Sequence, residues 1–192
     1  MTWLTSHTRV SSSKWLSEIT VLGPCDSSIR TLGDAYRRQR EAARRVRELG
    51  SILLGERLPA REIMMRLPWL IRGGMLKYSD GKVCVFGRCV DAYEFFKAID
   101  DYYMAYRDRV RALRDVEFAC KDVTPFFCRD EVKRFIKAIE DLWEVPVNPR
   151  RAARDIRMLA IMKNPKLKEA IEKYGEYLRA RRELLRCAGM IL

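Results

Sequence analysis

Behind Asp91, the residues Phe95, Ile99, Tyr102, Tyr106, Val110 and Leu113 recur at spacings of three and four. Only a helix, with its period of about 3.6, puts such positions on one face. Asp91 followed by Glu94 has the form of a capping box. One long helix is therefore predicted over residues 91–120, and the rest of the chain must supply elements that cover its apolar stripe.

Those elements are readable in outline. A helix is predicted over 34–48, with Asp34 as acid in its first turn and Gly50 as its stop. Pro59 opens a short apolar helix that Pro68 is expected to bend or break before Gly73 and Gly74 end it. Asp80 and Gly81 then sit between two alternating segments, which predicts a β-hairpin near 75–88. Val132, Phe135, Ile136, Ile139 and Leu142 mark one face of a helix over 130–143. Asn148 and Asn164 each precede a proline, the N-cap and first-turn pair that starts a helix, so the chain closes with helices over 149–163 and 165–187.

The first thirty residues differ in kind. They hold eleven serines and threonines around isolated anchors at Trp3, Leu4, Trp15, Leu16 and Ile19, a composition suited to an arm rather than a core. The predicted architecture is all-α dominated: a helical bundle with an extended N-terminal arm over 1–30, one small β-hairpin, and a single helical domain over 31–192. Tryptophans on an arm must fold back or dock on a neighbour, and the apolar terminus Met190, Ile191 and Leu192 has the same need. Trp3, Trp15 and that terminus are candidate subunit contacts.

Charge points to the partner. The chain carries 38 basic against 26 acidic residues, a net +12, which favours polyanions: nucleic acid first, an anionic membrane surface second. Arginine dominates the bases, and its planar fork suits phosphate better than the point charge of lysine. In YRRQREAARRVRELG, Arg37, Arg40, Arg44 and Arg47 follow helical spacing on one face, flanked by Arg38 and Arg45. The geometry returns at Arg150, Arg154 and Arg157, beside Arg151, and again at Arg179, Arg182 and Arg186. The middle of the chain instead mixes signs, as in Asp100, Asp101, Arg107, Asp108, Arg111 and Arg114, the pattern of a solvated face. Basic rails hold phosphates without reading bases, so the expected partner is the phosphate backbone of double-stranded DNA.

Other classes find less support. His7 is the only histidine, and no nucleophilic triad can be built on it. Glu140, Asp141 and Glu144 follow Lys133, Arg134 and Lys137 at ion-pair spacing, which favours solvated charge over a metal site. No GxxxxGK[ST] loop occurs. Tyr102, Tyr103 and Tyr106 fall at positions that suit a core or interface better than stacking on bases. No enzyme activity, cofactor or metal is expected. The first residues lack the form of a signal peptide and no apolar run is long enough to span a bilayer, so the expectation is a soluble, unexported protein.

Side-chain amides are nearly absent, only Gln39, Asn148 and Asn164, while a third of the residues are charged; this fits a protein held at high temperature. Intracellular disulfides are ordinary in hyperthermophiles. Cys84 with Cys89 and Cys120 with Cys128 are candidate disulfides, although spacing does not fix connectivity.

A small, basic, mostly helical chain with an arm, arginine rails at Arg37 to Arg47 and Arg150 to Arg157, and an apolar tail resembles the major coat proteins of filamentous and rod-shaped DNA viruses of hyperthermophilic archaea. The resemblance is one of architecture. It implies a bundle whose basic helices wrap double-stranded DNA, with self-associated or paralogous subunits repeating along a filament. The location would then be a virion, or the cytoplasm if the protein is cellular. The hairpin and the six cysteines depart from that pattern. Two other readings stay open. The short helix, glycines and hairpin look like the end of a winged-helix regulator with Lys77, Lys82 and Arg88 on its wing, and a small helical subunit of a nucleic-acid-processing complex would carry similar charge.

Overall fold

The periodic stretch behind Asp91 is one uninterrupted helix, and the other elements are arranged along it. The computed structural model describes residues 23–145 and 165–191. In chain order it comprises α1 (Pro24–Leu54), α2 (Ala60–Arg72), β1 (Leu76–Ser79), β2 (Lys82–Val85), β3 (Arg88–Asp91), α3 (Ala92–Cys120), α4 (Arg129–Trp143) and α5 (Pro165–Met190). The helix predicted over 149–163 and the first 22 residues of the arm, with Trp3 and Trp15, lie outside the described residues.

Asp91 caps α3 as its sequence predicts, its carboxylate accepting the Glu94 N–H at 2.9 Å. α1 runs antiparallel beside α3, since Cys25 at the start of one is bonded to Cys120 at the end of the other and Arg38 meets Asp108 midway. α4 and α5 form a second antiparallel pair, joined by Cys128–Cys187 and by an Arg134–Glu183 bridge at 2.9 Å. At this end of the α1/α3 spine the four helices bury Ile29, Leu32, Val116, Val132, Phe135 and Leu184. At the other end α2 and the sheet bury Leu53, Val83, Val85 and Phe95, beside Val46, Ile63 and Ala98.

Several sequence expectations need correction. α1 begins at Pro24, ten residues before Asp34, so residues 24–30 belong to the helix and not to the arm. Their serines conceal an apolar series at Cys25, Ile29 and Leu32 that faces the core. Gly50 does not stop α1; it is buried inside the helix, where a Cβ would come within 2.5 Å of the Ile63 side chain, so its bareness admits α2. The stop is Gly55, at a left-handed φ of 74° that glycine adopts without strain. Pro68 neither breaks nor ends α2, which continues through it to Arg72 with the proline exposed. One missing backbone donor is tolerated where tertiary packing holds the helix.

The single hairpin becomes a three-stranded antiparallel meander, β1-β2-β3. Ser79 pairs Lys82 around Asp80–Gly81, and Val85 pairs Arg88 around Phe86–Gly87. All four turn residues have positive φ, the geometry that matches strand twist in two-residue hairpins. Cys84 and Cys89 face each other in register and are bonded, as anticipated. Cys120 and Cys128 are not bonded to each other: they end α3 and begin α4, and each turns to a different helix, Cys120 to α1 and Cys128 to α5.

Candidate nucleic-acid interface

The arginines of α1 divide between two flanks with opposite electrostatic character. On one, Arg38 lies 3.7 Å from Asp108, and Arg38 and Arg45 share a shallow groove with Glu41, Asp101 and Asp108. Charges of both signs meet there, and exposed pairs of this kind contribute little beyond local neutrality.

On the other flank stand Arg40, Arg44 and Arg47, one helical face at spacings of four and three. Arg44 and Arg47 form one wall of an open cleft of about 780 Å³, with Arg57 and Arg61 on the facing wall and Tyr102 of α3 also lining it. The chain reversal at Gly55 and the helix start after Pro59 bring those walls together. The positive end of the α2 dipole opens on the same space, since Pro59, Ala60 and Arg61 line it. Glu48 is the one acid among the described residues that line it, and it accepts from Arg44 Nε at 3.1 Å. Arg47, Arg57 and Arg61 have no carboxylate partner among the described residues. Arg66, by contrast, is held by Glu56 at 2.5 Å and Glu62 at 2.9 Å, and those bonds raise its pKa.

Arg37 leaves the rail. Its guanidinium donates to the Ile191 carbonyl at 2.7 Å and the Gly189 carbonyl at 3.3 Å and also pairs with Asp34, so it closes the C-terminal end of α5. Ile191 packs partly buried against the chain's own helical core, while Met190 is 78% exposed. Arg179, Arg182 and Arg186 are exposed on α5, off the Ala180, Leu184 and Ala188 stripe that enters the core. They form a second row of charge. Arg150, Arg151, Arg154, Arg157 and Leu192 lie outside the described residues.

Three arginines also lie against tyrosine rings, a pairing that sequence spacing did not show. Arg40 lies over Tyr36, Arg109 over Tyr106 and Arg181 over Tyr177, at 5.9, 5.0 and 5.8 Å from the ring centroids. These pairs stand on α1, α3 and α5. Burial, and then the like charge of Arg181, lower the Arg109 pKa, with Tyr106, Tyr102 and Tyr36 acting the other way. Arg57 and Arg61 were missed because they flank a proline and belong to no periodic row; Arg109 was missed inside a stretch of mixed charge.

Among the described residues, Cys128, Glu131 and Cys187 cluster closely enough to hold a metal, but both sulfurs are in a disulfide and offer no thiolate. Comparison with protein-family models, curated proteins and solved structures returned no match.

Proposed function

We propose that this chain is a non-enzymatic structural protein that binds nucleic acid through its phosphates without reading sequence, coating double-stranded DNA in a helical, virion-like assembly. The observation that carries the reading is the uncompensated flank of α1, where Arg40, Arg47, Arg57 and Arg61 lack carboxylate partners among the described residues and Arg44 stands beside them. Arg66 and Arg134, by contrast, are each held by carboxylates. Four such phosphate contacts on B-DNA correspond to a log–log salt slope of about −4.

Assembly along a polymer also needs contacts between subunits. Phe118 and Trp143, each 81% exposed, stand with Ile136 and Ile139 around an apolar groove of about 420 Å³ between α3 and α4. Patches of this kind mark association surfaces. No described helix is long and apolar enough to cross a membrane. A winged-helix reading gains little from the sheet, because Arg88 donates to the Leu54 carbonyl at 3.1 Å and ties the wing to α1.

The test is stoichiometric: titrate the protein onto random-sequence duplex DNA and measure protein bound per base pair at saturation. The reading expects dense coverage that grows with DNA length and weakens with salt. Sparse binding that one particular sequence outcompetes would turn the assignment to a regulator.

A further inference from the structure

The apolar groove between α3 and α4 continues beyond Phe118 and Trp143. A second hollow of about 350 Å³ lies between the 121–125 loop and the start of α4, and Lys121, Ile136 and Glu140 line both. Together they make one trough that runs from the α3–α4 loop along α4 to Trp143. Phe118, Val123 and Trp143 stand exposed along it, and apolar surface gathered in this way favours an occupant.

The chain itself enters the fold at the head of the trough. Cys25, in the first turn of α1, is bonded to Cys120 with 4.8 Å between their Cα atoms. Next to it Asp26 accepts the N–H groups of Phe126 and Phe127 at 2.8 and 3.0 Å, which fixes the start of α1 to the far end of the same loop. Residues 1–22 therefore join the described chain beside the loop that lines the trough. The stretch WLSEITVL, residues 15–22, carries five apolar side chains, the acid Glu18 and no base. Lys121, Lys133 and Lys137 line the second hollow and make no ion pair among the described residues, so one acid suits that end. From Leu22 back to Trp15 the chain can span up to about 25 Å, whereas α4 rises only about 10 Å between Ile136 and Trp143. A segment tethered this closely acts at an effective concentration in the millimolar range, which a free partner must exceed.

We propose that residues 15–22 of the same chain seat in this trough, with Trp15 at the end marked by Phe118 and Trp143 and Glu18 toward the lysines. Trp15, a candidate subunit contact by sequence, becomes a contact within one subunit. The groove then enters an assembly only through the segment that covers it. This holds whether or not the arginine cleft binds DNA.

The experiment replaces Leu16 of the full chain by the photoreactive residue benzoylphenylalanine, irradiates the protein without nucleic acid at two dilutions, and maps what is captured. Crosslinks should fall within 117–121 and 136–143, in a species with the mass of one chain, at a yield that dilution does not change. Capture of those residues in a species of two chains would overturn the own-chain assignment and give the trough to a neighbour's arm. Crosslinks elsewhere, or none, would overturn the docking altogether. Thermal unfolding of Trp15→Ala, Trp143→Ala and the double variant supplies a second reading. Trp143 is exposed, so its loss leaves the core intact. Each single change should lower the midpoint by about 2–4 °C, and the double variant should melt no lower than the weaker single one, because both remove the same contact. Fully additive shifts would show that the two tryptophans do not meet and would overturn the proposal. With no DNA in either experiment, failure here leaves the nucleic-acid reading untouched.

Discussion

The two flanks of α1 come from one run of arginines and end in opposite electrostatic states. Arg38 and Arg45 turn toward the acids Asp101 and Asp108 of α3, whereas Arg44 and Arg47 turn toward Arg57 and Arg61. Arg37, on the same face as Arg44, closes the end of α5. A charge run read in one dimension treats these residues as equivalent. Their neighbours in space divide them into surface ion pairs, a structural clamp and a cleft that concentrates positive potential.

The largest effect expected is on the frame that holds both flanks. Cys25–Cys120 closes a loop across 95 residues of sequence, and replacing both cysteines by serine should cost about 4–5 kcal/mol in denaturant unfolding on the chain-entropy account. A loss below about 1 kcal/mol would mean that packing alone holds α1 to α3. Next comes the cleft. Arg47→Glu with Arg61→Glu should weaken binding to random duplex by about a hundredfold or more, at about 1.4 kcal/mol for each tenfold. Equal affinity in variant and parent would remove the cleft from the interface.

Smaller effects sharpen the contrast. Arg37→Ala should cost about 1 kcal/mol of stability through the lost carbonyl contacts at the end of α5, with DNA affinity changed less than the cleft variant changes it; a large affinity loss would return Arg37 to the rail. Arg38→Gln with Arg45→Gln, on the compensated flank, should alter stability by less than about 1 kcal/mol. DNA affinity should move less there than for any pair drawn from the cleft.

Legibility in the sequence followed the length of the apolar pattern. α3 and α4 could be read because Phe95, Ile99 and Tyr102, and then Val132, Phe135 and Ile139, repeat through several turns. The start of α1 could not, because Cys25, Ile29 and Leu32 are diluted by serines and an arm-like composition. Asp80–Gly81 announced the first tight turn; Phe86–Gly87 hid the second, since phenylalanine seldom takes positive φ. Cysteine spacing found the local bridge Cys84–Cys89 but missed the two bridges between helices, whose partners are far apart in sequence. The α1 row of the candidate interface was visible as periodic arginines. Arg57 and Arg61 became neighbours of that row only through the turn at Gly55.

Whether the flanks differ in what they bind is decided by the salt dependence of duplex binding, measured side by side for the parent, Arg47→Glu/Arg61→Glu and Arg38→Glu/Arg45→Glu. The expected parent slope is about −4 or steeper, shallower by about two in the cleft variant and little changed in the other. The same loss of slope in both variants would contradict it, showing that the arginines act only through total charge.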